Sequence, residues 1–234
     1  MKKLKHKSLK IYCLQPYPKL KKAGYALIIL PGLPLSSKEF NFIRENILLF
    51  NNLDIFYIIY PGYPQNTKEK FLEENPAKLV DDFINHLKLR KKYKKVFAIG
   101  SSFGGSLVLY LKNADRRVSI SPVIDWKNLY KGRKEYNYRT FKIFLEKSGY
   151  KISDQGWKLL KSGKMFPKLK RIDLKNQLLL VYSSKDPEID VNNLEQLIKK
   201  FNLKAIKFSK KQHLSLRKLR KSTIKKILNK ILEY

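Results

Sequence analysis

Short runs of β-branched and aromatic residues alternate along this chain with longer segments whose apolar residues recur at three- and four-residue spacing. From residue 25 onward the short runs predict strands over 25–30 (YALIIL), 54–60 (DIFYIIY), 95–99 (KVFAI), 117–120 (RVSI), 178–183 (LLLVYS) and 204–208 (KAIKF). Several are apolar at consecutive positions, which puts apolar side chains on both faces, as in parallel strands covered by helices. Between them, Ser36-x-x-Glu39 reads as a capping box ahead of Phe40, Ile43 and Ile47. Asn75-Pro76 supplies an N-cap and first helical residue for the stripe Leu79, Val80, Phe83, Ile84 and Leu87. Leu194, Leu197, Ile198 and Phe201 form a further stripe, and a last helix is expected from about 216 to 232. Strand-helix alternation of this kind predicts an α/β class with a mostly parallel sheet.

Residues 123–176 break the rhythm. They contain no convincing strand but carry Trp126, Tyr130, Tyr136, Tyr138, Phe141, Phe144, Tyr150 and Trp157. Two readings stand: an inserted helical lid, or crossover helices that send their aromatics into the core. With no repeat and no low-complexity linker, the 234 residues are expected to form one domain.

Composition narrows the class. Hydrophobic residues make up 43% of the chain, too much for a disordered one despite 30% charged residues. The net charge of +32 raises association with polyanions or an anionic membrane. Yet 42 of the 51 basic residues are Lys and they are scattered along the whole length, whereas base readout favours Arg, so no specific nucleic-acid binding is expected. Cys13, expected in a strand, is the single cysteine, which excludes an intrachain disulfide and a Cys-based metal site. The N-terminus is basic but lacks the apolar run of a signal peptide, and no stretch of about 18 apolar residues exists to span a bilayer. Cytoplasmic residence is the default expectation.

The strongest chemical signal is Gly100-Ser101-Ser102-Phe103-Gly104-Gly105, placed directly after a predicted strand and before the apolar run Leu107–Leu109. This is G-x-S-x-G in the setting its chemistry needs: a strand turning sharply into a helix holds the central residue in a strained conformation, and small neighbours two places away relieve the crowding. Centring the motif on Ser101 would put Ile99 and Phe103 at the small positions, so Ser102 is the candidate nucleophile, with Gly100 and Gly104 flanking it. The same turn could instead bind an anion at the helix N-terminus. A serine hydroxyl needs a base that is itself oriented by a carboxylate. His6 lies in the basic N-terminal tail and His86 beside the buried-face Leu87, which leaves His213, in the loop after the last predicted strand. Asp186 follows the strand LLLVYS and would emerge at the same sheet edge, with Asp190 in reserve; a turn aspartate before Pro187 is its plainer reading.

The order Ser102, Asp186, His213, each after a separate strand, resembles the α/β-hydrolase superfamily over residues 25–234, and GSSFGG, SSKDPEID and QHLSL carry the likeness. GSSFGG with the later SPVIDWKNLY is similar to prolyl-oligopeptidase-like and acylaminoacyl-peptidase-like catalytic domains, though the chain has no room for their propeller; small esterases share the elbow. The resemblance implies an oxyanion hole from the backbone N–H groups of Phe103 and of Leu33, in the loop ILPGLPLSS where many members have His-Gly and this chain has Pro31-Gly32. It implies cleavage of a carboxylic ester, thioester or amide through an acyl-enzyme, on a small acyl substrate that the positive charge would bias towards anions. No metal or organic cofactor is called for, since neither a phosphate-binding G-x-x-x-x-G-K-[ST] loop nor a His/Cys cluster is present. The tyrosines of Tyr60-Pro61-Gly62-Tyr63-Pro64 are open between lining a cleft and packing a turn.

Overall fold

The computed structural model describes residues 2–14, 24–50, 53–91, 93–130, 137–166, 169 and 177–232. Eight strands form one sheet: β1 (Lys2–His6), β2 (Leu9–Leu14), β3 (Tyr25–Leu30), β4 (Asp54–Ile59), β5 (Lys95–Ser101), β6 (Arg116–Ile120), β7 (Leu178–Ser183) and β8 (Lys204–Phe208). Their order across the sheet is β1-β2-β4-β3-β5-β6-β7-β8. The pairs β1–β2 and β2–β4 are antiparallel, and every other pair is parallel. Among the described residues the helices are α1 (Ser37–Glu45), α2 (Pro76–Lys91), α3 (Phe103–Tyr110), α4 (Tyr138–Lys147), α5 (Asp154–Lys161), α6 (Val191–Phe201) and α7 (Lys221–Leu232). None among the described residues is long and apolar enough to cross a membrane.

All six predicted strands are present within a residue or two, because β3, β4, β5 and β7 are buried on both faces and read as continuous apolar runs. The N-terminal hairpin is a correction. His6, placed by sequence in a basic tail, lies in β1, which pairs with β2 through a two-residue turn at Lys7 (φ 50°). Leu9, Ile11 and Cys13 alternate inward along β2, but the lysines at 2, 3, 5, 7 and 10 mask that period-two signal in the sequence. Asn75 caps α2 as expected, its Oδ1 accepting from Ala77 N at 2.9 Å, and the predicted apolar stripe of α2 is buried. The capping box at α1 does not form: Ser36 is the N-cap residue without a side-chain cap bond, and Glu39 turns its carboxyl into the interior, where Ser101 Oγ and Leu216 N donate to it. The predicted last helix splits into a short 3-10 turn, Leu216–Lys218, and α7.

Residues 123–176 carry α4 and α5, and an isolated bridge joins Phe71 to Ile152. Trp126, Tyr138, Tyr150 and Trp157 are buried and Phe144 is exposed; Tyr136 lies outside the described residues. Tyr138 and Phe141 meet Trp157 with ring centroids 5.9 and 6.0 Å apart, which ties α4 to α5. Tyr60 and Tyr63 are fully buried and pack on Phe103 and Phe71, so they fill a turn.

Register aligns the carboxyl ends of the central strands. Leu30 pairs with Gly100, Ser101 with Ile120, and Ile120 with Val181. The chain leaves β3 towards β4 on one side and β5 towards β6 on the other, so β3 and β5 flank the switch point where a crevice opens in such sheets. Helix α3 sits tightly on this crevice. A Cβ on Gly104 would lie 2.0 Å from the Leu30 carbonyl oxygen, and one on Gly100 would lie 2.3 Å from the Gly104 oxygen. Gly104→Ala therefore has to push α3 off β3, and should cost about 3 kcal/mol. For a chain of this length that is roughly a 6–12 °C fall in Tm, measurable by circular dichroism; a shift under about 2 °C would show that the backbone contact is not tight.

Candidate active site

Ser102 follows β5 and precedes α3, with φ 54° and ψ −117°. A non-glycine residue there is strained, at a cost of order 1–3 kcal/mol that the surrounding contacts must hold. They are specific: Ser102 N donates to the Ile120 carbonyl at 2.8 Å, and the Ser102 carbonyl accepts from Ser106 N at 2.8 Å. The strand and helix on either side are thus both fastened, and the side chain projects from the corner. Phe103 opens α3, so its N–H is one of those a helix leaves without an intrahelical acceptor.

The loop after β3 comes to the same place. A Cβ on Gly32 would be 3.1 Å from Ser102 Cβ and 3.8 Å from Ser102 Oγ, so the backbone leading into Leu33 passes directly beside the serine. Two tyrosines hold this loop: the Tyr150 hydroxyl accepts from Leu35 N at 2.5 Å, and Tyr63 reaches the Gly32 carbonyl at 3.4 Å. Burial pushes the Tyr150 phenol up to about 12, keeping it a neutral hydroxyl.

At the ends of β7 and β8 the structure brings Asp186 and His213 together. His213 Nδ1 lies 3.0 Å from both Asp186 carboxylate oxygens. Asp186 is further held by Ser121 Oγ, which donates to Oδ2 at 2.8 Å, and by Glu188 N, which donates to Oδ1 at 2.9 Å. Burial pushes this carboxyl up, but the His213 hydrogen bond and charge, with those two donors, outweigh it and hold Asp186 below the usual carboxylate range. A carboxylate against Nδ1 fixes the proton there, leaving Nε2 as the lone-pair nitrogen. Nε2 is buried and makes no hydrogen bond among the described residues, to Ser102 or otherwise, while Glu188 Oε2 stands 3.8 Å away.

Asp190, the reserve, is elsewhere: its carboxylate caps α6 by accepting from Asn193 N at 3.0 Å. His86 stacks on Phe83 and His6 packs tilted against both, 5.0 Å from His86, on the α2 side of the sheet. In the sequence Ser121 and Glu188 are not singled out, and Glu39 and Tyr150 read there as a capping residue and a segment aromatic, not as residues that hold the site. Ser121, directly after β6 and left-handed (φ 44°), was legible in principle as a polar residue at a strand's carboxyl end. Among the described residues no group of three or more His, Cys, Asp or Glu could hold a metal ion. A cavity of about 510 Å³ between α3 and α6, lined in part by Tyr110, Trp126, Phe166 and Phe201, includes none of Ser102, Asp186 and His213. The Phe103 ring packs on two of its lining residues, Trp126 and Phe166, at 5.7 and 6.3 Å.

No family model and no curated protein matches this sequence. Solved structures do. A carboxylesterase structure from the ammonia-oxidizing thaumarchaeon Nitrososphaera gargenis superposes with a TM-score of 0.67 at 14% identity, over 99% of this chain and 98% of that one. A lipase-esterase related protein from Clostridium acetobutylicum gives 0.64 at 18% identity, over 95% and 99%. XC6422 from Xanthomonas campestris, an α/β serine hydrolase without a lid, gives 0.60 at 11%, over 96% and 88%. With the strand order and the aligned carboxyl ends described above, these likenesses establish that the chain has the α/β-hydrolase fold.

Proposed function

We propose that this protein is a serine hydrolase that cleaves carboxylic esters through an acyl-enzyme. The observation that carries the proposal is a serine at positive φ on a strand-to-helix corner, on the same sheet edge as a buried Asp186–His213 pair whose Nε2 is free to accept a proton. Such a pair has little structural use: a buried ionic contact scarcely stabilises a fold, and a histidine nitrogen left without a partner costs free energy. The esterase names of the structural neighbours agree with an ester as substrate.

In this reading Ser102 Oγ attacks the carbonyl carbon while its proton passes to His213 Nε2, and Asp186 stabilises the imidazolium. The oxyanion lies against the N–H groups of Phe103 and Leu33. Collapse breaks the ester C–O bond, and the alcohol leaves with the proton from Nε2. Water, deprotonated by the same nitrogen, then attacks the acyl-enzyme; the acid departs and Ser102 regains its proton. The substrate is a small acyl ester. We read the described residues of the segment 123–176 as a cap that forms one wall of its site, because Tyr150, from that segment, holds the loop that carries Leu33.

Incubation with a fluorophosphonate should add one phosphonyl group to the wild type and none to Ser102→Ala, by intact mass. A folded wild type that stays unlabelled argues for a binding protein, whose retention on heparin would be salt-dependent and indifferent to Ser102→Ala.

Asp186→Asn should lower kcat on an activated ester by roughly 10³-fold or more, through loss of the tautomer that presents Nε2. Asp190→Asn should stay within about threefold, since Asn is an equally good N-cap. The reverse ranking would overturn the assignment. The same carboxyl predicts an acid limb in stability. Because the folded-state pKa lies below the unfolded one, its stabilisation is present above about pH 4 and is lost as pH falls through the folded value. Thermal unfolding between pH 5 and 2 should show a shallower decline for Asp186→Asn than for wild type.

A further inference from the structure

Glu39 is an acid in an unexpected place. It lies in the first turn of α1, 5% exposed, and its Oε1 accepts from Ser101 Oγ at 3.2 Å and from Leu216 N at 3.2 Å. Leu216 N is itself 3.2 Å from Ser101 Oγ, so the three groups close a triangle. Burial pushes the Glu39 carboxyl up, opposed by these same donors. The Arg217 and Lys218 charges also favour its ionised form, but an aliphatic side chain of similar size would fill the site without the desolvation cost of a carboxyl.

The identity of the partners gives the residue its meaning. Ser101 is the residue before the elbow serine, and Leu216 is three residues after His213, at the start of the Leu216–Lys218 turn. The histidine loop is thus pinned twice. Ser121 Oγ accepts from Leu214 N at 3.1 Å while donating to Asp186, which fastens the loop to its own acid. Glu39 and Ser101 fasten it to the strand that carries Ser102. The first pin keeps Asp186 and His213 together and, because Ser121 follows the Ile120 whose carbonyl holds Ser102 N, reaches the elbow through β6; the second ties the histidine loop directly to β5.

Resting on the serine-hydrolase reading above, we infer that Glu39 is a positioning residue that sets the alignment of His213 Nε2 with the Ser102 hydroxyl. Without its acceptor the Asp186–His213 pair stays intact, but the histidine loop keeps only the bond from Leu216 N to Ser101 Oγ as its direct tie to β5, and the pair is held less closely against the elbow. A misplacement of about 1 Å costs on the order of 10²-fold in rate. Glu39 is buried behind the elbow and touches no substrate, so the loss falls on kcat and leaves KM alone.

The test separates position from stability. Glu39→Met keeps the volume and removes the acceptor; Glu39→Gln keeps an amide oxygen that can accept from both donors. Turnover of an activated ester is measured per serine titrated with fluorophosphonate, with Tm measured beside it. Glu39→Met should hold or raise Tm yet lower kcat per titrated serine by about 30-fold or more, with KM within twofold, and slow phosphonylation in proportion. Glu39→Gln should return kcat to within about fivefold of wild type. A Glu39→Met enzyme within threefold of wild-type kcat per titrated serine overturns the inference, as does a change confined to KM or a Glu39→Gln no better than Met. A wild type that neither labels nor turns over overturns the hydrolase reading itself, and is recognised before any Glu39 variant is made.

Discussion

The backbone of α3 passes so close to the carbonyl ends of β3 and β6 that no side chain fits between them, and the geometry of the site follows from that approach. With Gly104 against Leu30 and Gly105 against the Ile120 carbonyl, the chain cannot leave β5 by a gradual turn. It reverses within one residue, and that residue, Ser102, takes the positive φ. The same closeness puts Gly32 beside Ser102 and starts α3 at the switch point. A looser helix would relieve the serine and lose both.

Around this corner the buried polar groups are few, and nearly all of them tie one strand end to another. Ser106 accepts from Val123 N and donates to its carbonyl, and Ser119 donates to the Gly105 carbonyl, so α3 is laced to β6 and the segment after it. Ser121 links Asp186 to the histidine loop, and Glu39 with Ser101 links that loop to β5. Each bond contributes only about 1 kcal/mol net, but a severed one leaves a buried donor or acceptor unpaired at greater cost. The lacing accordingly specifies position more than it stabilises.

What the sequence made legible is what the core dictates locally. Parallel central strands must be apolar on both faces, so 25–30, 95–99 and 178–183 were readable, and the elbow was readable because Gly100 and Gly104 answer a steric demand within five residues. The hairpin was not: Leu9, Ile11 and Cys13 alternate correctly, but an edge strand exposes its other face, and lysines there resemble a tail. Asp186 and Asp190 could not be told apart, since both follow β7 and only the fold decides that one meets His213 while the other caps α6. Ser36-x-x-Glu39 misled because a capping box is a local device, and the partners that took Glu39 away are 62 and 177 residues distant in the chain. Long-range polar contacts leave no periodic trace.

The same distinction bears on the charge. The open edges of the sheet are β1 and β8, at opposite ends of the strand order, and both are largely exposed and carry lysines: Lys2, Lys3 and Lys5 on one, Lys204 and Lys207 on the other. Charged side chains on exposed edges discourage pairing with another chain, which an eight-stranded open sheet otherwise invites. Part of the +32 therefore has a reason within the fold. A surface built to grip a polyanion would gather its lysines along one face. Those on the two edges stand apart by the full width of the sheet, and Lys207 is already engaged with Glu195 at 2.8 Å. In the serine-hydrolase reading proposed above, positive charge spread in this way acts on a substrate as a general field, and the selection of one ester over another falls to the short-range contacts around Ser102.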